Sequence, residues 1–358
     1  MTEQNNKIEI RNLSKIFGPK PQSHVAAVEA GMSKADLLSK HGHVLGLDRV
    51  DLDIPTQRLQ VVMGLSGSGK STLIRHINRL IEPTIGELRI DGEDVLTMGA
   101  TALRDLRRNK VSMVFQKFAL LPNRSVFRNV AYGLELRGVD KAQLQERTQC
   151  WVERVGLEGF ENSLPSELSG GMQQRVGLAR ALATDCDVLL MDEAFSALDP
   201  LIRNEMQDVL LDLQRELNKT IVFITHDLDE ALRIGDRIAI LRDGGLVQQG
   251  TPADILLKPA DAYVRAFVRD INRGRALKLA SILPPTEQTQ TKKIQPGENK
   301  KPTNGLPTLQ ADCSLEDALH TLIKTGKKRA HVKQNDALCG AITLEQISSA
   351  MQRGDGEN

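Results

Sequence analysis

Alternation of apolar and polar residues near the start of the chain predicts two strands. Residues 7–16 and 44–54 both follow this period of two, as half-buried strands do. Between them lies an insert, about residues 19–43, that breaks the alternation. Its middle, residues 33–38, is typical of a short helix, with Ser33 as a candidate N-cap.

Short, mainly apolar runs further along predict strands that are buried on both faces. Such runs occupy residues 188–191 and 221–225. Residues 59–63 form another apolar, strand-like run, and stretches of helical pattern separate the three. Most of residues 117–183 is also helical in pattern, and residues 238–248 read as an antiparallel hairpin. This alternation predicts an α/β core, in which ligands bind at the carboxyl ends of the strands.

The composition of the chain changes near residue 283. Residues 284–305 are rich in Pro, Thr, Gln, Lys and Asn, with almost nothing to bury, and we assign residues 280–305 to a flexible linker. Apolar positions then return in the order of a β-α-β-β-α module, residues 306–353. A single module of this size is marginally stable alone, which predicts that it packs on a partner surface.

Composition narrows the class of protein. The chain has 358 residues, 40% of them apolar and 26% charged, and a formal net charge of +1, so no global field draws it to nucleic acid or membrane. Its four cysteines are too dispersed for a metal site or a disulfide framework, which favours a reducing cytosol. The sequence has no signal-peptide pattern and no run of about 20 apolar residues, so any membrane span would belong to another subunit.

The most specific chemical signal is a glycine-rich loop between the run of residues 59–63 and the helical pattern of residues 71–80. It fits G-x-x-x-x-G-K-[ST], in which backbone N–H groups can surround phosphate oxygens. Lys70 can reach the β- and γ-phosphates, and the Ser71 hydroxyl can bind Mg²⁺. The alternative is a glycine-rich turn that caps an ordinary βα unit. The loop consists of Gly64, Leu65, Ser66, Gly67, Ser68, Gly69, Lys70 and Ser71.

Two further segments carry candidate chemistry. Asp192 and Glu193 follow the strand of residues 188–191, where one carboxylate can hold Mg²⁺ and the other can deprotonate an attacking water. Residues 168–175 (LSGGMQQR) read either as an ordinary capped helix start or as a second phosphate site that begins at Ser169. This segment lies about a hundred residues from the glycine-rich loop, so the two need not bind the same phosphate within one chain.

Taken in this order, the motifs resemble those of the ATP-binding subunit of an ABC transporter. The resemblance spans about residues 8–250, and within it Met172 replaces the usual fifth residue of the Leu-Ser-Gly-Gly-Gln signature, with Gln173 directly after it. It implies an α/β fold in which a RecA-like parallel sheet is joined by an antiparallel β subdomain. It also implies a helical signature subdomain at about residues 117–183, all within an ATP-binding domain of residues 7–275.

The resemblance assigns roles to single residues, and each has a structural alternative. Phe17 is expected to stack on adenine, although it could be a core aromatic at a strand end. Gln116 is expected to contact Mg²⁺ and the attacking water, although it could be a solvated strand end. The loop of residues 196–199 is expected to cross the dimer, and its Asp199 could also cap the following helix.

The resemblance places the expected chemistry on three side chains. Glu193 is the expected general base, and Lys70 is expected to stabilise phosphate charge. His226 is expected near the γ-phosphate; the alternative is a histidine at a strand end whose hydrogen bonds are satisfied within the fold. The expected Mg²⁺ ligands are Ser71, Gln116 and Asp192. The expected nucleotide contacts outside the loop are Phe17, Thr72, Gln116, Ser169, Gly170, Gly171, Gln173 and Asp199.

The family also implies two copies of the chain arranged head to tail. Each of two ATP molecules would lie between Lys70 of one copy and Ser169 and Gly171 of the other, which accounts for the separation of the two phosphate sites. Further expected partners are integral-membrane permease subunits and, indirectly, a periplasmic or lipid-anchored substrate-binding protein. The chain would then be peripheral, on the cytoplasmic face of the bacterial inner membrane. No nucleic-acid partner is expected, because only 3% of the residues are aromatic and could stack on bases.

Several segments narrow the resemblance to importers of quaternary amines such as glycine betaine, proline betaine and choline. They are residues 31–34, 63–71, 78–83, 114–122, 192–200 and 270–275. Residues 306–353 resemble one cystathionine-β-synthase (CBS) module, where that family often has a tandem pair. The alternatives are an importer ATPase for another small solute such as an amino acid, a soluble ABC ATPase of DNA repair or translation, and a regulatory protein. The chain has a single phosphate loop and no heptad run, which argues against an ATPase of DNA repair or translation. The complete set of ATPase motifs argues against a purely regulatory protein.

Overall fold

The computed structural model divides the chain into two compact units, residues 1–249 and residues 250–358. The second unit begins upstream of the linker that we assign from sequence. Most of that linker, residues 284–305, lies outside the described residues. The residues that the structure describes are 5–116, 119–196, 198–283, 306–334 and 337–352.

Two sheets run through the described residues of the first unit. Their strands are β1 (Asn6–Phe17), β2 (Val44–Pro55), β3 (Leu59–Met63), β4 (Ile85–Ile90), β5 (Glu93–Asp94), β6 (Val111–Val114), β7 (Val188–Asp192), β8 (Thr220–Thr225), β9 (Arg237–Arg242) and β10 (Gly245–Gly250). The strand order is β2-β1-β4-β5 in one sheet and β10-β9-β3-β8-β7-β6 in the other.

The first sheet is antiparallel and the second is mainly parallel. β1 pairs antiparallel with β2 and β4, and Ile8, Ile10 and Leu13 are fully buried, so the predicted strand is confirmed. A register shift between Ile10 and Leu13, where Asn12 takes φ 45°, interrupts the predicted alternation. In the second sheet β3 pairs in parallel with β8 and β9, and β7 with β6 and β8. β3, β7 and β8 are buried at every position, as their mainly apolar sequences predict. Their carboxyl ends therefore meet at one edge of the sheet, where the candidate residues follow.

The described residues of the first unit also form helices. They are α1 (Val25–Glu29), α2 (Lys34–His41), α3 (Lys70–Ile77), α4 (Ala100–Asp105), α5 (Val126–Arg137), α6 (Lys141–Arg154), α7 (Gly170–Ala183), α8 (Pro200–Leu217) and α9 (Leu228–Ile234). The helices predicted within residues 117–183 are confirmed as α5, α6 and α7. The helix predicted within the insert is confirmed as α2, and Ser33 Oγ accepts from Asp36 N at 3.0 Å as its predicted N-cap. The helix predicted over residues 71–80 ends at Ile77, and Arg79 soon after it takes φ 52°.

The second unit holds the predicted C-terminal module and the segment before it. Its elements are α10 (Pro252–Leu257), α11 (Ala262–Val268), α12 (Arg273–Ala276), β11 (Thr308–Gln310), α13 (Leu315–Thr325), β12 (Arg329–Gln334), β13 (Ala337–Thr343) and α14 (Leu344–Met351). The β-α-β-β-α order is confirmed, with the sheet in the order β11-β12-β13. No helix in the described ranges is long and apolar enough to cross a bilayer.

The last residues before the predicted linker, together with its first residue, pack on the module. Leu279 N donates to Cys313 O at 3.0 Å, and Ala280 N donates to Ala311 O at 2.8 Å. Leu277 and Leu279 are buried. The partner surface that so small a module needs is thus supplied, within this unit, by the chain itself. The likeness of the module to a CBS module stays a prediction.

Candidate nucleotide-binding site

The glycine-rich loop joins β3 to α3, and its glycines take backbone conformations that other residues avoid. Gly64, Gly67 and Gly69 have φ values of 150°, 77° and 102°. A Cβ on Gly64 would lie 2.2 Å from Leu241 O, and a Cβ on Gly69 would lie 2.5 Å from Gly46 O. Close approach to neighbouring main chain therefore requires glycine here. The loop ends at Gly69, the residue that precedes α3, so the N–H groups of the first turn face the loop.

Lys70 is the buried cation of this loop. Its Nζ donates to Gly64 O at 2.9 Å and to Leu65 O at 3.1 Å, and it lies 3.9 Å from Glu193 Oε1. Burial lowers the pKa of the Lys70 ammonium, and the charges of Glu193 and Asp192 oppose that shift. A phosphate bound in the loop would supply further negative charge to this ammonium, as the motif predicts.

Oxygen ligands for a divalent cation meet beside the loop. Ser71 Oγ donates to Asp192 Oδ1 at 2.7 Å, and Arg75 Nη2 donates to Asp192 Oδ2 at 3.1 Å. The Asp192 carboxylate is fully buried at the end of β7. Hydroxyl, carboxylate and amide oxygens are the ligands that Mg²⁺ prefers, so the side chains of Ser71, Asp192 and Gln116 fit this cation.

Glu193 is held between two other predicted residues. Its Oε2 accepts from Gln116 Nε2 at 2.8 Å, and its Oε1 lies 3.9 Å from His226 Nδ1. Glu193 takes φ 46°, a conformation that non-glycine residues rarely adopt, and its N donates to Ile224 O at 3.2 Å. The carboxylate is 18% exposed and the His226 side chain is 60% exposed. Glu193 is thus positioned at the edge where β6, β7 and β8 end, with access to water.

The structure does not bring every predicted contact into this cluster. Ser169 is the N-cap of α7 and accepts from Met172 N at 3.3 Å, while Gln173 Nε2 donates to Pro165 O at 3.0 Å and to Leu168 O at 3.3 Å. These hydrogen bonds stay within their own segment. Ser169 and Gly170 are exposed, and Gly171 is half-buried.

The remaining predicted residues occupy simpler positions. Phe17 ends β1, is 38% exposed, and packs so closely on Gly46 that a Cβ there would lie 2.5 Å from the ring. Asp199 is the N-cap of α8 and accepts from Leu201 N and Ile202 N at 3.1 Å each. Asp199 therefore caps the following helix, as its alternative assignment predicts. The nucleotide contacts assigned to Phe17, Asp199 and Thr72 stay predictions.

Sequence reasoning missed a residue that joins two functional loops. Arg203 Nη2 donates to Leu198 O at 3.1 Å, and its Nη1 donates to Asp227 Oδ2 at 3.4 Å. Leu198 belongs to the loop expected to cross the dimer, and Asp227 directly follows His226. The two partners are far apart in sequence, so no local pattern could have revealed this link.

Comparisons with known proteins place this geometry in a family. A family model described as ABC transporter matches residues 47–196. The chain is 52% identical to the glycine betaine transport ATP-binding protein OpuAA of Bacillus subtilis (strain 168), over 81% of this chain and 69% of that protein. It is 48% identical to the glycine betaine/proline betaine transport system ATP-binding protein ProV of Escherichia coli (strain K12), over 98% and 84%. It is 47% identical to the trimethylamine N-oxide transport system ATP-binding protein TmoW of Pelagibacter ubique (strain HTCC1062), over 95% and 96%.

A solved structure agrees with these relatives. A dimeric ATP-binding cassette in a post-hydrolysis state, bound to ADP and Pi, is 31% identical and superposes with a TM-score of 0.59. The match covers 68% of this chain and 98% of that structure. The α/β fold expected from the motifs is confirmed. The chain therefore belongs to the ABC transporter family, among ATP-binding proteins related to those of glycine betaine and proline betaine transport systems.

Proposed function

We propose that this protein hydrolyses ATP to drive the import of a quaternary amine or a closely related methylated amine through separate membrane subunits. The observation that carries the proposal is the convergence of Lys70, Ser71, Asp192 and Glu193 at the carboxyl ends of β3 and β7. A phosphate-binding loop, ligands for Mg²⁺ and a general base are the parts that this reaction needs.

Each side chain has a task that its surroundings support. The loop N–H groups and Lys70 bind the phosphates, and Ser71, Asp192 and Gln116 would hold Mg²⁺, which neutralises charge on the phosphate oxygens when it is bound. Glu193 accepts a proton from the attacking water, because its carboxylate is partly exposed to solvent and lies 3.9 Å from Lys70 Nζ of the glycine-rich loop. His226, whose Nδ1 lies 3.9 Å from Glu193 Oε1, would contact the γ-phosphate.

Head-to-tail dimerisation would complete the site. The exposed helix start at Ser169 and Gly170 offers N–H groups and a hydroxyl that its own chain leaves on the surface. The dimeric state of the similar cassette supports a dimer. In our proposal Ser169 and Gly171 of a second copy cover the phosphates held by the loop of the first.

The proposed cargo rests on the relatives. Those reported above are named for glycine betaine, proline betaine and trimethylamine N-oxide, all of which carry a fully substituted nitrogen. An ATPase subunit has no contact with the cargo, so permease subunits and a substrate-binding protein would select it. The proposed location of the chain is peripheral, on the cytoplasmic face of the bacterial inner membrane.

Reconstitution with the cognate permease and binding protein tests this function. We expect ATP hydrolysis by the complex in lipid vesicles to rise when the binding protein is loaded with glycine betaine, and labelled glycine betaine to accumulate on the opposite side. Methionine offered with the same components is the control cargo. Stimulation by DNA or ribosomes instead, without stimulation by the loaded binding protein, would contradict the proposal.

A further inference from the structure

The insert of residues 19–43 is an ordered part of the first unit, although none of the expected ATPase roles uses it. Val28 of α1 and Leu37 of α2 are buried against Ile16 and Leu45, in an apolar cluster separate from the main core. Ile16 belongs to β1 and Leu45 to β2, so the cluster fixes the insert on the hairpin that contains Phe17.

One end of the insert is fastened directly after Phe17. The buried His43 ring has Nδ1 2.7 Å from His41 O and Nε2 2.8 Å from Pro19 O. Gly18 takes φ 143°, and a Cβ on it would lie 2.3 Å from His43 Cδ2. Only glycine therefore lets the turn after Phe17 lie this close to the ring.

The other end of the insert reaches the glycine-rich loop. Lys34 is the first residue of α2, and its Nζ donates to Gly67 O at 2.9 Å. An ammonium group has three N–H donors, of which this bond uses one. The side chain is half-buried, so its charge lies at the rim of the loop and not in the core.

Lys34 and Lys70 both donate to carbonyl oxygens of the same turn of the loop. Ser68 N donates to Leu65 O at 3.2 Å, which closes the turn, and Leu65 O also accepts from Lys70 Nζ at 3.1 Å. Lys34 binds the carbonyl of Gly67 in the middle of that turn. Two positive charges therefore flank the main chain whose N–H groups are expected to bind phosphate.

We propose that Lys34 is a further nucleotide-positioning residue, which holds the glycine-rich loop from the insert and adds a second positive charge to the phosphate site. This inference rests on the proposed binding of ATP. Because its benefit is electrostatic, the gain in affinity should grow with the number of phosphates on the nucleotide. The insert would thereby connect the strand that ends at Phe17 with the loop that binds phosphate.

Equilibrium binding of ATP, ADP and AMP to the full-length protein tests this role. We expect Lys34→Met to weaken ATP binding about tenfold, equivalent to about 1.4 kcal/mol, with a smaller loss for ADP and little for AMP. The dependence of ATP affinity on salt concentration should also become shallower. Lys40→Met is the matched control, because Lys40 lies on the same helix and pairs with Asp36 at 2.9 Å.

The outcomes separate this inference from the proposed function. Failure of the unchanged protein and of Lys40→Met to bind ATP would overturn both. Normal ATP affinity in Lys34→Met alone would overturn only the role of Lys34. Equal weakening of ATP, ADP and AMP would also overturn it, because loss of structure does not depend on phosphate number. A Lys34→Arg variant should recover most of the affinity for ATP, and its failure to do so would contradict an electrostatic role.

Discussion

The glycine-rich loop and the segment around Ser169 differ in how much of their chemistry one chain completes. At the loop, Lys70 and Asp192 are buried and Glu193 is half-buried, and they contact one another or shared neighbours across distant parts of the sequence. Around Ser169, the side chains of Ser169 and Gln173 bond within their own segment, and the helix start is exposed. One chain thus assembles the groups that we propose act on ATP, and it leaves the predicted second phosphate site exposed on its surface.

That difference predicts which substitutions stop the reaction and which weaken the assembly. Changes at the buried cluster should act within each chain, whatever its partner. Changes at the exposed segment should act only on the copy opposite. The variants below run from the largest expected effect to the smallest.

Glu193→Gln should have the largest effect. The amide cannot accept a proton from water, so we expect hydrolysis to fall at least about 100-fold. ATP binding should remain, because the bonds of Lys70 to Gly64 O and Leu65 O do not involve Glu193. Phosphate release and equilibrium ATP binding measure the two effects. Glu146→Gln on the exposed face of α6 is the control, and near-normal hydrolysis by Glu193→Gln would exclude its role as the base.

Lys70→Met should weaken ATP binding by about 10- to 100-fold, the range for charge-assisted hydrogen bonds. Lys141→Met, on an exposed position of α6, should leave the affinity unchanged. Unaltered ATP affinity in Lys70→Met would show that Lys70 of the loop does not bind the phosphates of ATP.

The pH dependence of ATP binding is a second test of the role of the Lys70 charge. Burial lowers the pKa of the Lys70 ammonium in the free protein. Phosphate binding needs the charged form, so the affinity for ATP should be full below this lowered pKa and should decrease as the pH rises through it. In Lys70→Arg the guanidinium keeps its charge, so the decrease should disappear. A decrease of the same size in both proteins would assign it to another group.

Arg203→Met should have an intermediate effect, because it cuts the link between the loop at Leu198 and the one that carries His226. We expect hydrolysis to fall about 3- to 10-fold, the range for the net contribution of one ordinary hydrogen bond, while ATP affinity stays unchanged. Arg215→Met removes a well-exposed arginine from the same helix and is the control. A loss of ATP affinity without a change in turnover would contradict this assignment.

Phe17→Leu should have the smallest effect. If the ring stacks on adenine, the affinity for ATP should fall about 2- to 10-fold, while the melting temperature changes little. Phe160→Leu replaces another exposed phenylalanine and should change neither. A lower melting temperature with unchanged ATP affinity would support the alternative, in which Phe17 is only a core aromatic at a strand end.

The same comparison explains what the sequence could predict. The loop of residues 64–71 and the pair Asp192–Glu193 follow apolar runs directly, so their place at strand ends was readable from local pattern. The insert helix and its Ser33 cap were also predictable, since a cap is a local interaction. Bonds between distant segments were not, as Arg203 with Asp227 and Lys34 with Gly67 show.

The start of the second unit at Gly250 was hidden for a related reason. The composition changes only near residue 283, where apolar residues run out. Main-chain hydrogen bonds join Leu279 and Ala280 to Cys313 and Ala311, about 30 residues further along the chain. No local sequence pattern indicates such bonds. Packing between segments that are remote along the chain thus decides what sequence pattern alone cannot.

Mixing two inactive variants tests the central claim most directly, namely that each site combines the loop of one copy with the Ser169 segment of another. At ATP concentrations well below the Kd of Lys70→Met, neither Lys70→Met nor Ser169→Arg should hydrolyse ATP measurably alone. Mixed in equal amounts and allowed to exchange, they should recover activity, up to about a quarter of the native value, because each mixed dimer contains one intact site. If mixed dimers form but the mixture stays as inactive as its components, the site is not shared between copies and the account is wrong.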